Sequence, residues 1–202
     1  MFECPALWFR LPNQFKDVFD LRPVGSFVDG YWSIAVLCLT ETPTSMPMWA
    51  HYGDGGEGIA LEFSADSNFF KEHALAKVRY SAKRPTVSEP IKALTTKSAE
   101  WAYEREWRCF AVPGERQQDQ FLFDQQAVSV SFPFEALTAV IHGHDSRVDA
   151  SPLLARAEAK HVRELVCRVD PWAYKVNVCD RNDFTYIHER QRAAIWGRQS
   201  RK

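Results

Sequence analysis

Glu104 and Glu106 stand two positions apart with Arg105 between them, inside the tract Trp101-Ala102-Tyr103-Glu104-Arg105-Glu106-Trp107-Arg108. On an extended strand that spacing puts Glu104, Glu106 and Arg108 on one face, and Arg105, Trp107 and Cys109 on the other. Two carboxylates and a guanidinium on one wall could stabilise a developing positive charge and hold an anion. A second dense tract, Met48-Trp49-Ala50-His51-Tyr52, runs into the glycine-rich stretch Gly53 to Gly58 and then Ile59 to Phe63. Histidine beside tyrosine can stack on, and hydrogen-bond, a flat ring such as nicotinamide or a base. Ordinary surfaces do not flank their charges with tryptophan, and ordinary cores have no use for so many charges, so both tracts are expected to wall one pocket. Glu106, Glu104 and His51 are the candidate catalytic groups. Tyr52, Trp49, Arg108, Asp17 and Asp20 are the candidate substrate-binding ones.

Each candidate has a plainer alternative. Arg108 paired to a glutamate inside the protein would anchor the strand and do no chemistry. His51 and Tyr52 can be helix-packing groups, and Asp20 can cap a turn or pair with Arg22. The loop from Gly53 to Gly58 lacks the Gly-Lys-Ser/Thr ending of a phosphate-binding loop and contains Asp54 and Glu57, so a tight turn is expected. His142-Gly143-His144-Asp145 has metal-compatible residue types but no second cluster at ligand spacing, and no metal site is assigned. Gly-x-Ser-x-Gly is absent, and no cysteine lies in an evident Cys-His setting.

These residues must be positioned by a chain of 202 residues, long enough for a substantial core, with 25 Lys+Arg against 26 Asp+Glu. That balance argues against a protein that coats nucleic acid or an anionic membrane. Five cysteines without a Cys-x-x-Cys pair read as free thiols, with Cys38, Cys109 and Cys167 buried in strand-like runs. No apolar stretch approaches the roughly 18 residues of a membrane span, and a cytoplasmic location is expected. Strands are predicted at 6–10, 32–40, 59–63, 104–112, 127–132, 136–141, 165–169 and 173–178. Helices are predicted at 48–52, over about three turns ending near Tyr103, and from Ser151 to about Arg163. The glutamine-rich stretch 115–126 reads as an exposed loop or hairpin. The whole describes one α+β domain over 1–180, a central, mostly antiparallel sheet flanked by a few helices. A tail over 181–202 carries six basic and two acidic residues and is expected to be flexible or helical.

Three ordered segments bring a family into view. Phe15-Lys16-Asp17-Val18-Phe19-Asp20 resembles the F-N-D-P-F-D signature of the bacterial domain-of-unknown-function 2971 family, with Lys16 and Val18 in place of its Asn and Pro. Met48-Trp49-Ala50-His51-Tyr52, followed by Gly58 and Phe63, resembles its M-W-x-H-Y motif. Glu104-Arg105-Glu106-Trp107-Arg108 resembles its E-x-E-W-R segment, and Val140-Ile141-His142-Gly143 with a helix and two strands resembles its C-terminal unit. The family implies a fold and a site but no reaction. The E-x-E pair also resembles the acidic motif of ADP-ribosyltransferases, in which the second glutamate hydrogen-bonds the nicotinamide ribose and the first positions or deprotonates the acceptor. That likeness implies an NAD- or nucleotide-consuming transferase or glycohydrolase of bacterial toxin or phage-defence type, with NAD as substrate and no tightly bound cofactor. Two alternatives stay open: a phosphodiester hydrolase holding a divalent metal on Asp17, Asp20, Glu104 and Glu106, and a non-enzymatic binding or immunity module whose partner is a protein or antitoxin.

Overall fold

The computed structural model describes residues 5–25, 31–86, 90–112, 120–122, 127–170, 172–181 and 183. Its strands and α-helices begin with β1 (Ala6–Arg10), β2 (Ala35–Thr40), α1 (Met46–Tyr52), β3 (Ile59–Phe63), α2 (Asn68–Glu72), β4 (Ala76–Lys77) and β5 (Arg79–Ser81). They continue with α3 (Pro90–Leu94), β6 (Thr96–Ser98), β7 (Glu106–Ala111), β8 (Gln120–Leu122) and β9 (Ala127–Ser131). Then come β10 (Leu137–His142), α4 (Ser151–Leu154), β11 (Arg163–Val169) and β12 (Val176–Asp180). The class is α+β, with mostly antiparallel sheets and short helices.

Two compact units share the chain, one built from Met1–Thr42 and Ser64–Ala136, the other from Pro43–Phe63 and Leu137–Lys202. The first holds a six-stranded sheet in the order β4-β7-β2-β1-β9-β8, antiparallel throughout, and a small parallel pair of β5 with β6. Side chains alternate between the faces of this sheet. One face, with Phe9, Ala35, Cys109, Val128 and Val130, is buried and packs with Phe69 and Phe70 of α2 into the core. The opposite face carries Trp8, Arg10, Cys38, Glu106 and Arg108, so its polar residues are set there by strand parity alone.

The second unit holds a four-stranded sheet in the order β12-β11-β10-β3, in which only β10 and β11 run parallel. Its core gathers Trp49, Ala139, Ile141, Leu165, Cys167 and Val176. The glycine loop is a turn whose close approach needs the missing side chains: a Cβ on Gly143 would lie 2.1 Å from the Gly56 carbonyl oxygen, and one on Gly56, at φ +100, would meet the His144 ring. Backbone bonds from Gly143 to the Gly58 carbonyl and from Asp145 to that of Gly56 close the turn.

Three expectations are corrected. The helix of about three turns ending near Tyr103 is a short α3, strand β6 and a 3-10 segment Ala99–Glu104, because β6 supplies a parallel partner for β5. The helix from Ser151 stops at Leu154, with a further 3-10 turn at Ala157–Ala159. The strand expected from Glu104 begins at Glu106, since Arg105 takes a left-handed conformation at φ 48. Of the stretch 115–126 only β8 is described, and the tail 181–202 lies outside the described residues apart from Arg181 and Asp183.

Candidate functional site

The turn at Arg105 decides the geometry of the E-x-E pair. Glu104 closes the 3-10 segment and Glu106 opens β7, and the left-handed residue between them redirects the chain so that both carboxylates enter one buried cluster. Ser98 caps the start of that segment, accepting from the Glu100 backbone N–H. On the other side of the peptide, Arg105 and Lys77 share the Glu41 carboxylate, which also accepts from the Trp107 indole. The Trp107, Lys77 and Arg105 contacts hold Glu41 down at about 2.

Arg108 is fully buried and all three of its guanidinium nitrogens donate. Its Nε donates to Glu106 Oε1 at 2.7 Å, Nη1 to the Leu94 carbonyl at 2.8 Å, and Nη2 to both oxygens of Asp20 at 2.9 and 2.8 Å. Lys97 supplies the second cation. Its Nζ contacts Glu104 Oε2, Glu106 Oε2 at 3.2 Å and Asp20 Oδ2 at 3.5 Å, and lies 4.9 Å from the centre of the Trp101 ring. The backbone N–H of Glu106 donates to the Tyr80 hydroxyl, and Tyr31, beside the cluster, donates to the Leu21 carbonyl.

Burial would raise the Glu106 carboxyl, but the ions of Arg108 and Lys97 overcome it and hold the group below its ordinary range. For Lys97 burial acts downward and is outweighed by Glu106, Glu104 and Asp20, so the ammonium stays charged. Three carboxylic side chains, Asp20, Glu104 and Glu106, thus gather around two basic ones, Lys97 and Arg108.

The cluster meets solvent at Cys38. That residue lies opposite Arg108 on β2, is exposed, and shares a hydrogen bond with the Glu106 carboxylate. Burial by the surrounding protein, with the Glu106 charge, nevertheless lifts its thiol well above the ordinary value. The thiol is therefore protonated, a donor to Glu106 and a poor nucleophile. Its exposure corrects the expectation of a buried Cys38. Cys109 and Cys167 are buried as expected, and burial pushes their thiols up to about 12 and about 11.

The other sequence candidates fall elsewhere. Asp17 accepts from the Phe19 backbone N–H at 2.9 Å, a local turn, while Asp20 two residues on from Val18 joins the cluster. Trp49 is a core residue whose indole N–H donates to the Pro43 carbonyl at 2.7 Å, so its ring serves packing rather than a ligand. His51 and Tyr52 are exposed at the end of α1 with their rings edge to face, and both belong to the second unit. His142 bonds Glu164 at 2.9 Å, and Glu164 also pairs with Arg181. No group of His, Cys, Asp and Glu among the described residues is arranged to hold a metal, since Asp20, Glu104 and Glu106 already face Lys97 and Arg108. Lys97, Cys38 and Tyr80 are the members that spacing did not indicate. Lys97, four residues before Trp101, is the one with a visible signal, a cation beside an aromatic.

No helix among the described residues is long and apolar enough to cross a membrane. No curated protein and no solved structure matches the chain. Residues 48–109, which run from the His51-Tyr52 helix through the E-x-E-W-R strand, match the model of DUF2971, a protein family of unknown function.

Proposed function

We propose that the first unit consumes NAD or a related nucleotide, cleaving the glycosidic C–N bond by transfer or hydrolysis. One observation carries the reading: the gathering of the Asp20, Glu104 and Glu106 carboxyl groups around Lys97 and Arg108, beside the exposed Cys38. In a pyridinium nucleotide the ring carries the positive charge. As the bond from C1′ to the ring nitrogen breaks, its electron pair passes to nitrogen, nicotinamide leaves neutral and the charge moves to the sugar. A fixed carboxylate favours that displaced charge without reorganising at the moment of reaction. Glu106 stabilises the sugar centre, and Glu104 orients the water or acceptor that forms the new bond to C1′ and releases its proton to solvent. The proposed site draws on first-unit residues alone.

A second reading has its own observation, the donation of all three Arg108 guanidinium nitrogens to groups inside the protein. Under it the cluster is only the internal anchor of this unit, and the protein is a non-enzymatic binding or immunity module. Nicotinamide release from NAD by the purified protein separates the two. Turnover is expected, with Glu106→Gln losing on the order of a hundredfold in rate when assayed at a temperature where circular dichroism reports it folded. Absence of turnover and of NAD binding by the wild type would overturn the enzyme reading in favour of the anchor.

A further inference from the structure

Tyr80 on β5 and Lys97 on β6 are register partners in the small parallel pair, so their side chains leave the same face. Lys97 runs into the cluster, where its Nζ contacts Glu104, Glu106 and Asp20. Tyr80 arrives at the same place from the neighbouring strand: its hydroxyl oxygen accepts from the Glu106 backbone N–H at 2.8 Å. The two differ in exposure, Lys97 being buried and Tyr80 half-buried. All of these residues belong to the first unit.

A phenol both accepts and donates. In Tyr80 the accepting side is taken by Glu106, while among the described residues nothing accepts its O–H. Tyr31, beside the same cluster, is buried and gives its O–H to the Leu21 carbonyl. Burial raises the Tyr80 phenol above its ordinary 10.0, and the Glu106 and Glu104 charges add to that rise against Lys97, so the group keeps its proton at neutral pH and remains a donor. The bond to the Glu106 peptide fixes where that donor stands, and its exposure leaves the O–H for a group arriving from outside.

Such a group must offer an oxygen acceptor. A phosphate would accept the proton but would bring negative charge beside Glu104 and Glu106, the two charges that act most strongly on this hydroxyl. A neutral hydroxyl brings none. In a nucleotide the 2′-hydroxyl sits on the carbon adjoining C1′, next to the bond on which Glu106 is proposed to act.

We propose that Tyr80 is the substrate-contacting donor of the cluster, giving its O–H to the 2′-hydroxyl oxygen of the sugar whose C–N bond is cleaved. The assignment rests on the nucleotide-consuming reading and adds a residue that reading does not use.

The test changes the residue and the substrate together. Wild type and Tyr80→Phe are assayed for nicotinamide release from NAD and from the NAD analogue whose nicotinamide-bearing sugar lacks the 2′-hydroxyl. Tyr80→Phe should lose about tenfold in kcat/KM on NAD, yet match wild type to within about twofold on the deoxy analogue, because the group it would contact is already gone. A tyrosine that only held the Glu106 peptide would show the same loss on both substrates, and that result overturns the assignment. So does equal activity of the two proteins on NAD. In either case wild-type turnover leaves the enzyme reading standing. Thermal unfolding of the same samples checks the fold. As a second variant, a site-specific fluorinated tyrosine at position 80 keeps the shape and lowers the phenol's own pKa, so the alkaline limb of the rate should move to lower pH, and an unmoved limb would also overturn the assignment. Should wild type release no nicotinamide from NAD, the assignment falls together with the reading it rests on.

Discussion

Arg108 Nη2 reaches both carboxylate oxygens of Asp20, at 2.9 and 2.8 Å, across 88 positions of sequence. This contact ties the segment before β2 to the centre of the sheet, and both partners are buried. Asp20→Ala leaves the buried Arg108 Nη2 donors without the carboxylate that accepts from them, so a loss of about 1–3 kcal/mol in unfolding free energy is expected. Urea denaturation of the variant measures it, and a change below about 1 kcal/mol would show that water already reaches the pair.

Arg108→Lys keeps the charge but not the fork. One ammonium cannot serve Glu106, the Leu94 carbonyl and Asp20 together, and an unsatisfied buried acceptor costs about 1–3 kcal/mol. The conservative substitution should therefore destabilise clearly, whereas Arg163→Lys, at an exposed pair with Glu62, should move stability by less than about 1 kcal/mol. Parallel melts of the two variants test the contrast.

Stability should fall at both ends of the pH scale for different reasons. Glu106 is held below its ordinary value of 4.5, so its contribution is complete above that pH and is lost as pH falls through the lower folded value. Burial, only partly opposed by Arg108, raises the Tyr31 phenol above 10.0, so its contribution is complete below that pH and fades as pH climbs past it. Denaturation profiles against pH should slope downward in both windows. Glu106→Gln should flatten the acid limb alone, and an unchanged acid slope would remove Glu106 as its cause.

Gly143→Ala places a Cβ 2.1 Å from the Gly56 carbonyl oxygen, a backbone atom that cannot swing aside. A cost of about 1–3 kcal/mol is expected from the forced displacement. Gly55→Ala meets no atom within 4 Å but sits at φ 65, so it should cost about 1 kcal/mol through backbone strain alone. Thermal shifts ordered in this way support the close approach, and the reverse order would contradict it.

Thiol alkylation read by mass spectrometry should rank the cysteines. Cys109 and Cys167 are buried and should label only on unfolding, while Cys38 is reachable in the folded protein but slow, since its thiolate is scarce. Reductant and chelator should leave the melting temperature unchanged. Fast labelling of Cys109 in the native protein would mean that the sheet opens.

The sequence by itself determined the class of the fold, most strand positions and four residues of the central cluster. Strand signals survive without context because alternation and apolar runs are local, as β2, β3, β9 and β10 illustrate. Glu104, Glu106, Arg108 and Asp20 were legible because so many charges near aromatic rings have no ordinary use. The two longer helices were not, because their helical periodicity is a weak preference that the pairing of β6 with β5 and the short turns after Ser151 override. Tertiary structure alone decided that Asp17 is a local turn residue, that Trp49 is core, and that Lys97 is the second cation. It also decided that Glu104 joins Glu106 through a left-handed turn rather than along one strand. Sign and count of charges are written in the chain, but which of them meet depends on segments brought together from residues 20, 97, 104, 106 and 108, a proximity no local pattern encodes.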